Sequence, residues 1–230
     1  GMQNRRQFIK TTSLGTATVL TPFNPGSALF GKLPKVLLIG DSISMGYYPF
    51  VKDSFFGKAE VLRPMKPNGD MYNCQGTTNG VLGIADWIAD IEWDVIHFNF
   101  GLHDIKHIDW ITKKNSNSQE DPHQASPKQY GKNLKFIVKK LKKTKAKLIF
   151  ATTTPYPDTV RKPLRKPGMS KIYNEVALKI MAKNNIQVND LYNYVLPKME
   201  KLQRPNNVHF SVHGSQKLAE KVVTSISENL

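Results

Sequence analysis

The run Val36-Leu37-Leu38-Ile39-Gly40-Asp41-Ser42-Ile43 decides how this chain is interpreted. Four consecutive apolar residues predict a strand that is buried on both faces. A tight turn follows at Gly40 and carries a hydroxyl group at its tip. A helix that begins there would present the backbone N–H of Ser42 to developing negative charge. Ser42 is therefore a candidate nucleophile, and a helix-capping role is the alternative.

Segments of strand and helix character alternate along the rest of the chain. The expected strands lie at residues 35–39, 60–62, 94–100, 147–153 and 186–189, and the expected helices at 42–56, 81–91, 127–144, 169–184, 191–202 and 215–230. This alternation predicts an α/β fold in which helices cover both faces of a parallel sheet. Because ligands bind such sheets beyond the carboxyl ends of the strands, we expect Ser42 and residues 101–104 and 152–155 to converge.

Length, charge and cysteine content narrow the possible functions. A chain of 230 residues can form one domain with a proper core, and a single cysteine, Cys74, excludes an internal disulfide and a thiolate metal cluster. Part of the formal net charge of +15 lies in six lysines between residues 139 and 147. Their helical spacing indicates the solvated face of an amphipathic helix. Since no nucleic-acid-binding module accompanies the charge, we expect no nucleic-acid partner, while an acidic polysaccharide remains open.

The first thirty residues differ from the rest. Arg5-Arg6-Gln7-Phe8-Ile9-Lys10 is a twin-arginine pattern, residues 11–20 are too short and polar to span a bilayer, and Gly26-Ser27-Ala28 suits signal cleavage. We expect residues 1–30 to be an export signal and linker, residues 31–230 to be the functional domain, and the mature protein to lack an integral membrane segment. A basic N-terminus without targeting function is the alternative.

Histidine is the side chain best suited to activate a serine hydroxyl. Among the six histidines, His209 is the strongest candidate base, because it lies in a polar loop just before the last expected helix. His97 falls in an expected buried strand, and His213 at a helix start. His103 and His107 have a spacing that could hold a metal ion, but no third ligand accompanies them, so we expect no metal and no other cofactor.

With these residues identified, the chain resembles the SGNH/GDSL hydrolase family over most of residues 35–226. The first block of the family, which carries the nucleophile, matches residues 40–43, and the last block, which carries the histidine, matches residues 209–214. Residues 73–78 stand where the second block supplies an oxyanion-hole glycine. Residues 101–104 stand where the family has Gly-x-Asn-Asp.

The resemblance implies a three-layer α/β/α fold with a flavodoxin-like parallel sheet of about five strands. It also implies ester hydrolysis through an acyl-enzyme. In that scheme Ser42 attacks the ester carbonyl, and His209 accepts its proton. The backbone N–H groups of Ser42 and Gly76 and the side chain of His103 hold the oxyanion, with Gln75 as an alternative alignment for Gly76.

Two positions depart from the family pattern. His103 replaces the oxyanion asparagine, and Asn206 stands where the family has an acid three residues before the histidine. An asparagine can still orient a histidine, and a backbone carbonyl or a carboxylate from another loop are further possibilities. The expected function is hydrolysis of a small acyl ester, with acetylated carbohydrate as a substrate class. The alternative is a non-catalytic member of the same fold that binds glycan.

Overall fold

A single sheet of five parallel strands forms the centre of the protein, which a computed structural model describes over residues 31–230. The strands follow the order β2-β1-β3-β4-β5 and are β1 Lys35–Ile39, β2 Glu60–Leu62, β3 Val95–Phe98, β4 Lys147–Ala151 and β5 Gln187–Asn189. This is the strand order of flavodoxin-like doubly wound folds, so the predicted fold class is confirmed. The expected export signal lies outside the described residues.

Helices pack against the sheet, and its interior strands are buried over most of their length. They are α1 Ser42–Ser54, α2 Thr77–Ile88, α3 Leu102–Ile105, α4 Pro127–Lys142, α5 Met169–Lys183, α6 Leu191–Val195, α7 Met199–Leu202 and α8 Val212–Ser227. Helix α1 packs on α8, while α4 packs on both α2 and α5. Every residue of β3 is buried, as its continuous apolar character predicts. No helix within residues 31–230 is long and apolar enough to cross a membrane.

Helix α4 has the amphipathic form that its lysines predict. Tyr130, Leu134, Ile137 and Leu141 are buried, whereas Lys132, Lys135, Lys139 and Lys142 are exposed. The stripe of apolar side chains at helical spacing therefore binds the helix to the core, and the lysines remain solvated.

Two helices begin earlier than their apolar spacing predicts, because side chains cap them. Helix α2 starts at Thr77 and not at residue 81, since the Asp104 carboxylate accepts the Thr77 N–H at 2.9 Å. Helix α8 starts at Val212 and not at residue 215, since Ser211 Oγ accepts the Gly214 N–H at 3.0 Å. Each cap satisfies a backbone donor that would otherwise lack a partner in the first turn.

The segment after β3 also differs from its prediction. No helix is predicted between residues 91 and 127, yet Leu102–Ile105 forms one helical turn. The strands β3 and β4 are shorter than the apolar runs that predicted them, ending at Phe98 and Ala151. The remaining residues of these two predicted strands, 99–100 and 152–153, lie in the turns beyond the carboxyl ends of the strands.

Gly101 leaves room for the side chain of Thr153 at this edge of the sheet. A Cβ atom at position 101 would overlap Thr153 Oγ1 and lie 2.9 Å from Thr153 Cβ. Thr153 cannot retreat easily, because its N–H donates to Asn174 Oδ1 at 2.8 Å and its hydroxyl donates to the Phe100 carbonyl at 3.1 Å.

We therefore expect Gly101→Ala to lower the free energy of unfolding by about 2 kcal/mol or more, as overpacked sites do. Gly31→Ala is the matched control, because a Cβ there meets no atom of residues 31–230 within 4 Å. Urea unfolding of both variants measures the difference. Equal stability of the two would contradict the close contact at Gly101.

Candidate active site

Ser42 lies where β1 ends and α1 begins. Asp41 is the N-cap of α1, and its carboxylate accepts the Ile43 N–H at 2.9 Å. The Ser42 N–H is in the first helical turn, where backbone donors have no acceptor within the helix. The turn thus presents both the hydroxyl and the N–H of Ser42 near the carboxyl edge of the sheet.

Arg63, which the sequence analysis did not identify, holds this turn in place. Its buried guanidinium donates to Ser44 Oγ at 3.0 Å, to the Gly40 carbonyl at 3.3 Å and to the Tyr72 carbonyl at 2.9 Å. These bonds connect the start of α1 to the segment that follows β2. A basic residue directly after a short strand was the available sequence signal.

The structure brings the predicted nucleophile and the predicted base together. Ser42 Oγ lies 2.9 Å from His209 Nε2, although 167 positions separate the two residues in sequence. Both side chains are half-buried and line one cavity of about 720 Å³. A distance of this length is within the hydrogen-bonding range that general-base catalysis needs.

Asn207 orients His209 from the opposite side of the imidazole ring. Its Oδ1 atom accepts the backbone N–H of His209 at 2.9 Å and lies 2.7 Å from His209 Nδ1. Because a backbone N–H can only donate, the amide oxygen of Asn207 faces the histidine. Nδ1 therefore carries the proton, and Nε2 presents its lone pair to Ser42. This is the tautomer that can accept the serine proton.

The expected orienting residue, Asn206, makes no hydrogen bond to His209 within the described part of the chain. Asn206 is exposed and has a left-handed backbone, with a φ of 54°. Its Oδ1 atom accepts a hydrogen bond from Thr159 Oγ1 at 2.6 Å. The left-handed backbone at Asn206 directs its side chain toward the segment between β4 and α5. Asn207, the next residue, contacts the imidazole of His209 instead.

His103 lines the same cavity as Ser42 and His209. Burial, and then the positive charges of Lys106 and Arg165, lower the pKa of His103 to about 3, so its ring is neutral at physiological pH. Within residues 31–230 its buried Nδ1 atom has no hydrogen-bond partner. Burying an unpaired lone pair costs less free energy than burying an unpaired N–H group. The tautomer of His103 with the proton on Nε2 is therefore favoured.

Gly76 lies beside the cavity but not among the residues that line it. It is the N-cap of α2, and a Cβ there would approach Asp104 Oδ2 to 2.9 Å. Asn73, from the same loop, does line the cavity. The oxyanion role of Gly76 therefore stays a prediction. The close approach of Asp104 explains why this position has no side chain.

Positive charge dominates the walls of the cavity. Its charged lining residues are the cations Lys106, Arg161, Lys162 and Arg165 and one carboxylate, Asp41. Burial, Arg204 and Arg165 lower the pKa of His209 below its usual value, so the ring is neutral near pH 7 and available as a base.

His103 and His107 make separate contacts in the structure. Within residues 31–230 no group of three or more metal-ligating side chains has a suitable arrangement. His107 Nδ1 instead lies 2.6 Å from the Asp121 carbonyl, and its ring packs against His123. These contacts tie the segment between α3 and α4 together.

Comparisons with known proteins agree with this fold. The model of the GDSL-like lipase/acylhydrolase family matches residues 38–217, a range that contains Ser42, His103 and His209. No curated protein matches the chain by sequence.

Solved structures with a similar fold include the following three. A lipase/acylhydrolase from Enterococcus faecalis is 20% identical with a TM-score of 0.67, covering 85% of this chain and 96% of that one. An acetyl xylan esterase is 18% identical with a TM-score of 0.65, covering 84% and 99%. A carbohydrate esterase family 3 protein from Talaromyces cellulolyticus is 15% identical with a TM-score of 0.60, covering 85% and 97%.

Identities this low show a shared fold only, whereas the family match spans most of the chain. The turns that carry Ser42 and His209 and the strands β2 to β5 all lie within the matched range. This chain belongs to the GDSL-like lipase/acylhydrolase family.

Proposed function

We propose that this protein is a serine esterase that hydrolyses small acyl esters, with acetylated carbohydrate as its substrate class. The observation that carries the proposal is the chain of contacts from Ser42 Oγ to His209 Nε2 and from His209 Nδ1 to Asn207 Oδ1. It is the arrangement in which a neutral imidazole activates a hydroxyl group.

In the first half of the reaction, Ser42 Oγ attacks the ester carbonyl while its proton moves to His209 Nε2. The carbonyl oxygen becomes an oxyanion, which the Ser42 N–H and the His103 imidazole stabilise as hydrogen-bond donors. The tetrahedral intermediate collapses, the bond to the alcohol oxygen breaks, and His209 gives its proton to the leaving alcohol. An ester of Ser42 remains.

In the second half, a water molecule repeats the attack. His209 takes a proton from the water as its oxygen adds to the Ser42 ester, and the same oxyanion donors act again. Collapse of this intermediate releases the acid and returns the proton to Ser42 Oγ. Asn207 holds the imidazole in the required tautomer through both halves.

Three features support carbohydrate as the alcohol. A second cavity of about 750 Å³, lined in part by the half-buried Tyr192, adjoins the first at Asn206, and a tyrosine ring can pack against the apolar face of a sugar. Two of the similar structures are an acetyl xylan esterase and a carbohydrate esterase. The twin arginine at Arg5-Arg6 fits an exported enzyme, which would meet polymeric substrates outside the cytoplasm.

One observation favours a second candidate function, glycan binding without turnover. Behind His209 stands an amide and not a carboxylate, so the imidazolium formed during attack lacks a counter-charge. In chymotrypsin-type triads, replacement of the aspartate by asparagine costs on the order of 10⁴ in rate. Much of that loss in rate arises because the asparagine favours the wrong tautomer of the histidine. Here the backbone N–H of His209 turns the amide oxygen of Asn207 toward the ring, which prevents that tautomer. Catalysis is therefore the first candidate.

We expect Ser42→Ala to lower kcat/KM for p-nitrophenyl acetate by about 10³-fold or more, since no nucleophile remains. Ser54→Ala is the matched control: it removes an exposed hydroxyl from the end of the same helix, where Oγ donates only to the Phe50 carbonyl. Release of p-nitrophenol measures both. Equal rates in Ser42→Ala and wild type would refute the esterase, and glycan binding without any acyl-enzyme burst would establish the second candidate.

We expect Asn207→Ala to lower kcat/KM for p-nitrophenyl acetate by about 10²- to 10⁴-fold, because the imidazole loses the acceptor that fixes its tautomer. Asn206→Gly should stay close to wild type, since glycine accepts the left-handed backbone and only the bond to Thr159 is lost. A larger loss in Asn206→Gly than in Asn207→Ala would assign the orienting role to the wrong residue.

A further inference from the structure

Arg165 is a buried cation in the catalytic cavity whose hydrogen-bonding capacity is mostly unused. It is 5% exposed and lines the cavity beside Ser42 and His209. Its Nε atom donates to the Leu102 carbonyl at 2.8 Å, which is its only hydrogen bond within residues 31–230. In that part of the chain no carboxylate lies within 4.0 Å of its guanidinium. The two terminal nitrogens are therefore free to bind a ligand.

A charge in this position is costly for the protein alone. Removing a cation from water carries a penalty of several kcal/mol unless an anion or a set of acceptors compensates it. Burial lowers the pKa of Arg165, and Asp41 opposes that shift only in part. The guanidinium nevertheless stays charged, as arginine does in proteins. The cavity thus holds a fixed positive charge that lacks a close partner.

The other charged groups that line the cavity add to its net positive charge. Lys106, Arg161 and Lys162 line the cavity with Arg165, and the single lining carboxylate, Asp41, already accepts the Ile43 N–H. The positive charge of Arg165 also contributes to the lowered pKa values of His103 and His209. Its electrostatic effect therefore reaches the groups that are proposed to react. A bound anion would relieve this repulsion.

The geometry of Arg165 suits a carboxylate. Its Nε atom donates to the Leu102 carbonyl in α3, and the two Nη atoms, which have no hydrogen-bond partner within residues 31–230, form a planar pair of donors. A planar fork of this kind pairs with a carboxylate through two parallel hydrogen bonds.

We infer that Arg165 binds a carboxylate of the substrate, so that the enzyme prefers esters carrying a carboxylate close to the ester bond. The inference rests on the esterase function proposed above and names the substrate class within it. The carboxylate can belong to the alcohol, as in an acetylated uronic acid, or to the acyl group, as in a half ester of a dicarboxylic acid. A bound carboxylate would also supply negative charge near His209, where the protein itself provides an amide.

Two matched substrate pairs separate these sources. The first is an O-acetylated methyl glucuronoside against the methyl glucoside acetylated at the same hydroxyl. The second is mono-p-nitrophenyl succinate against p-nitrophenyl butyrate. We expect the wild-type enzyme to favour the anionic member of one pair by about tenfold or more in kcat/KM, in line with hydrogen bonds to charged groups. The pair that shows the preference identifies the source.

Arg165→Gln should abolish that preference, so that the ratio of kcat/KM between the anionic and the neutral member of the pair falls to about one. Lys139→Gln is the control for net charge, because it removes one exposed cation from α4 and should leave the preference intact. If Arg165→Gln does not fold, Arg165→Lys keeps the charge without the planar fork and should reduce the preference in part.

Two outcomes would overturn the inference: a wild-type enzyme without preference in either pair, or an Arg165→Gln variant that loses neutral and anionic substrates equally. The second would assign Arg165 to the oxyanion or to the fold. If wild type does not hydrolyse p-nitrophenyl acetate at all, the esterase proposal fails separately. Calorimetric titration of Ser42→Ala with methyl glucuronoside and methyl glucoside, and with succinate and butyrate, then decides whether the cavity selects a carboxylate.

Discussion

The hydrogen bond between Ser42 and His209 depends on most of the fold, because its two partners lie near opposite ends of the chain. Ser42 is placed by β1, an interior strand of the sheet, and His209 by the turn that leads into α8. Helices α1 and α8 pack against each other, and a Cβ on Gly46 would lie only 3.0 Å from Ser215 Oγ. Close packing of these helices therefore fixes the separation of the two functional turns.

The strands and helices that burial sets are visible in the sequence, whereas the helix ends that side-chain caps set are not visible in apolar spacing. Continuous apolar runs predict β1 and β3, and helical spacing predicts α4, because burial acts directly on those patterns. The start of α2 depends on Asp104, which is 27 positions away from Thr77 and reaches it only after folding. The start of α8 depends on Ser211, a local capping signal that apolar spacing alone does not detect.

The same division applies to the site. A hydroxyl after a buried strand and a histidine before the last helix could be identified, since activation of a serine requires those residue types. Whether Asn206 or Asn207 reaches the imidazole depends on the backbone at position 206, and its positive φ has no reliable sequence signal. Arg165 lies in a segment whose basic residues look solvated, and only its contact with the Leu102 carbonyl shows that it is buried in the cavity.

The rate of covalent labelling by a fluorophosphonate tests most directly whether neutral His209 activates Ser42. Intact-mass analysis should find one adduct, located on Ser42, and His209→Ala should nearly abolish its formation. The labelling rate should fall as the pH is lowered through the pKa of His209, with a midpoint below 6.5, because burial and nearby arginines disfavour the imidazolium. Labelling of Ser42 at an equal rate in His209→Ala, or without dependence on pH between 4 and 7 (about the range in which histidine titrates), would contradict it.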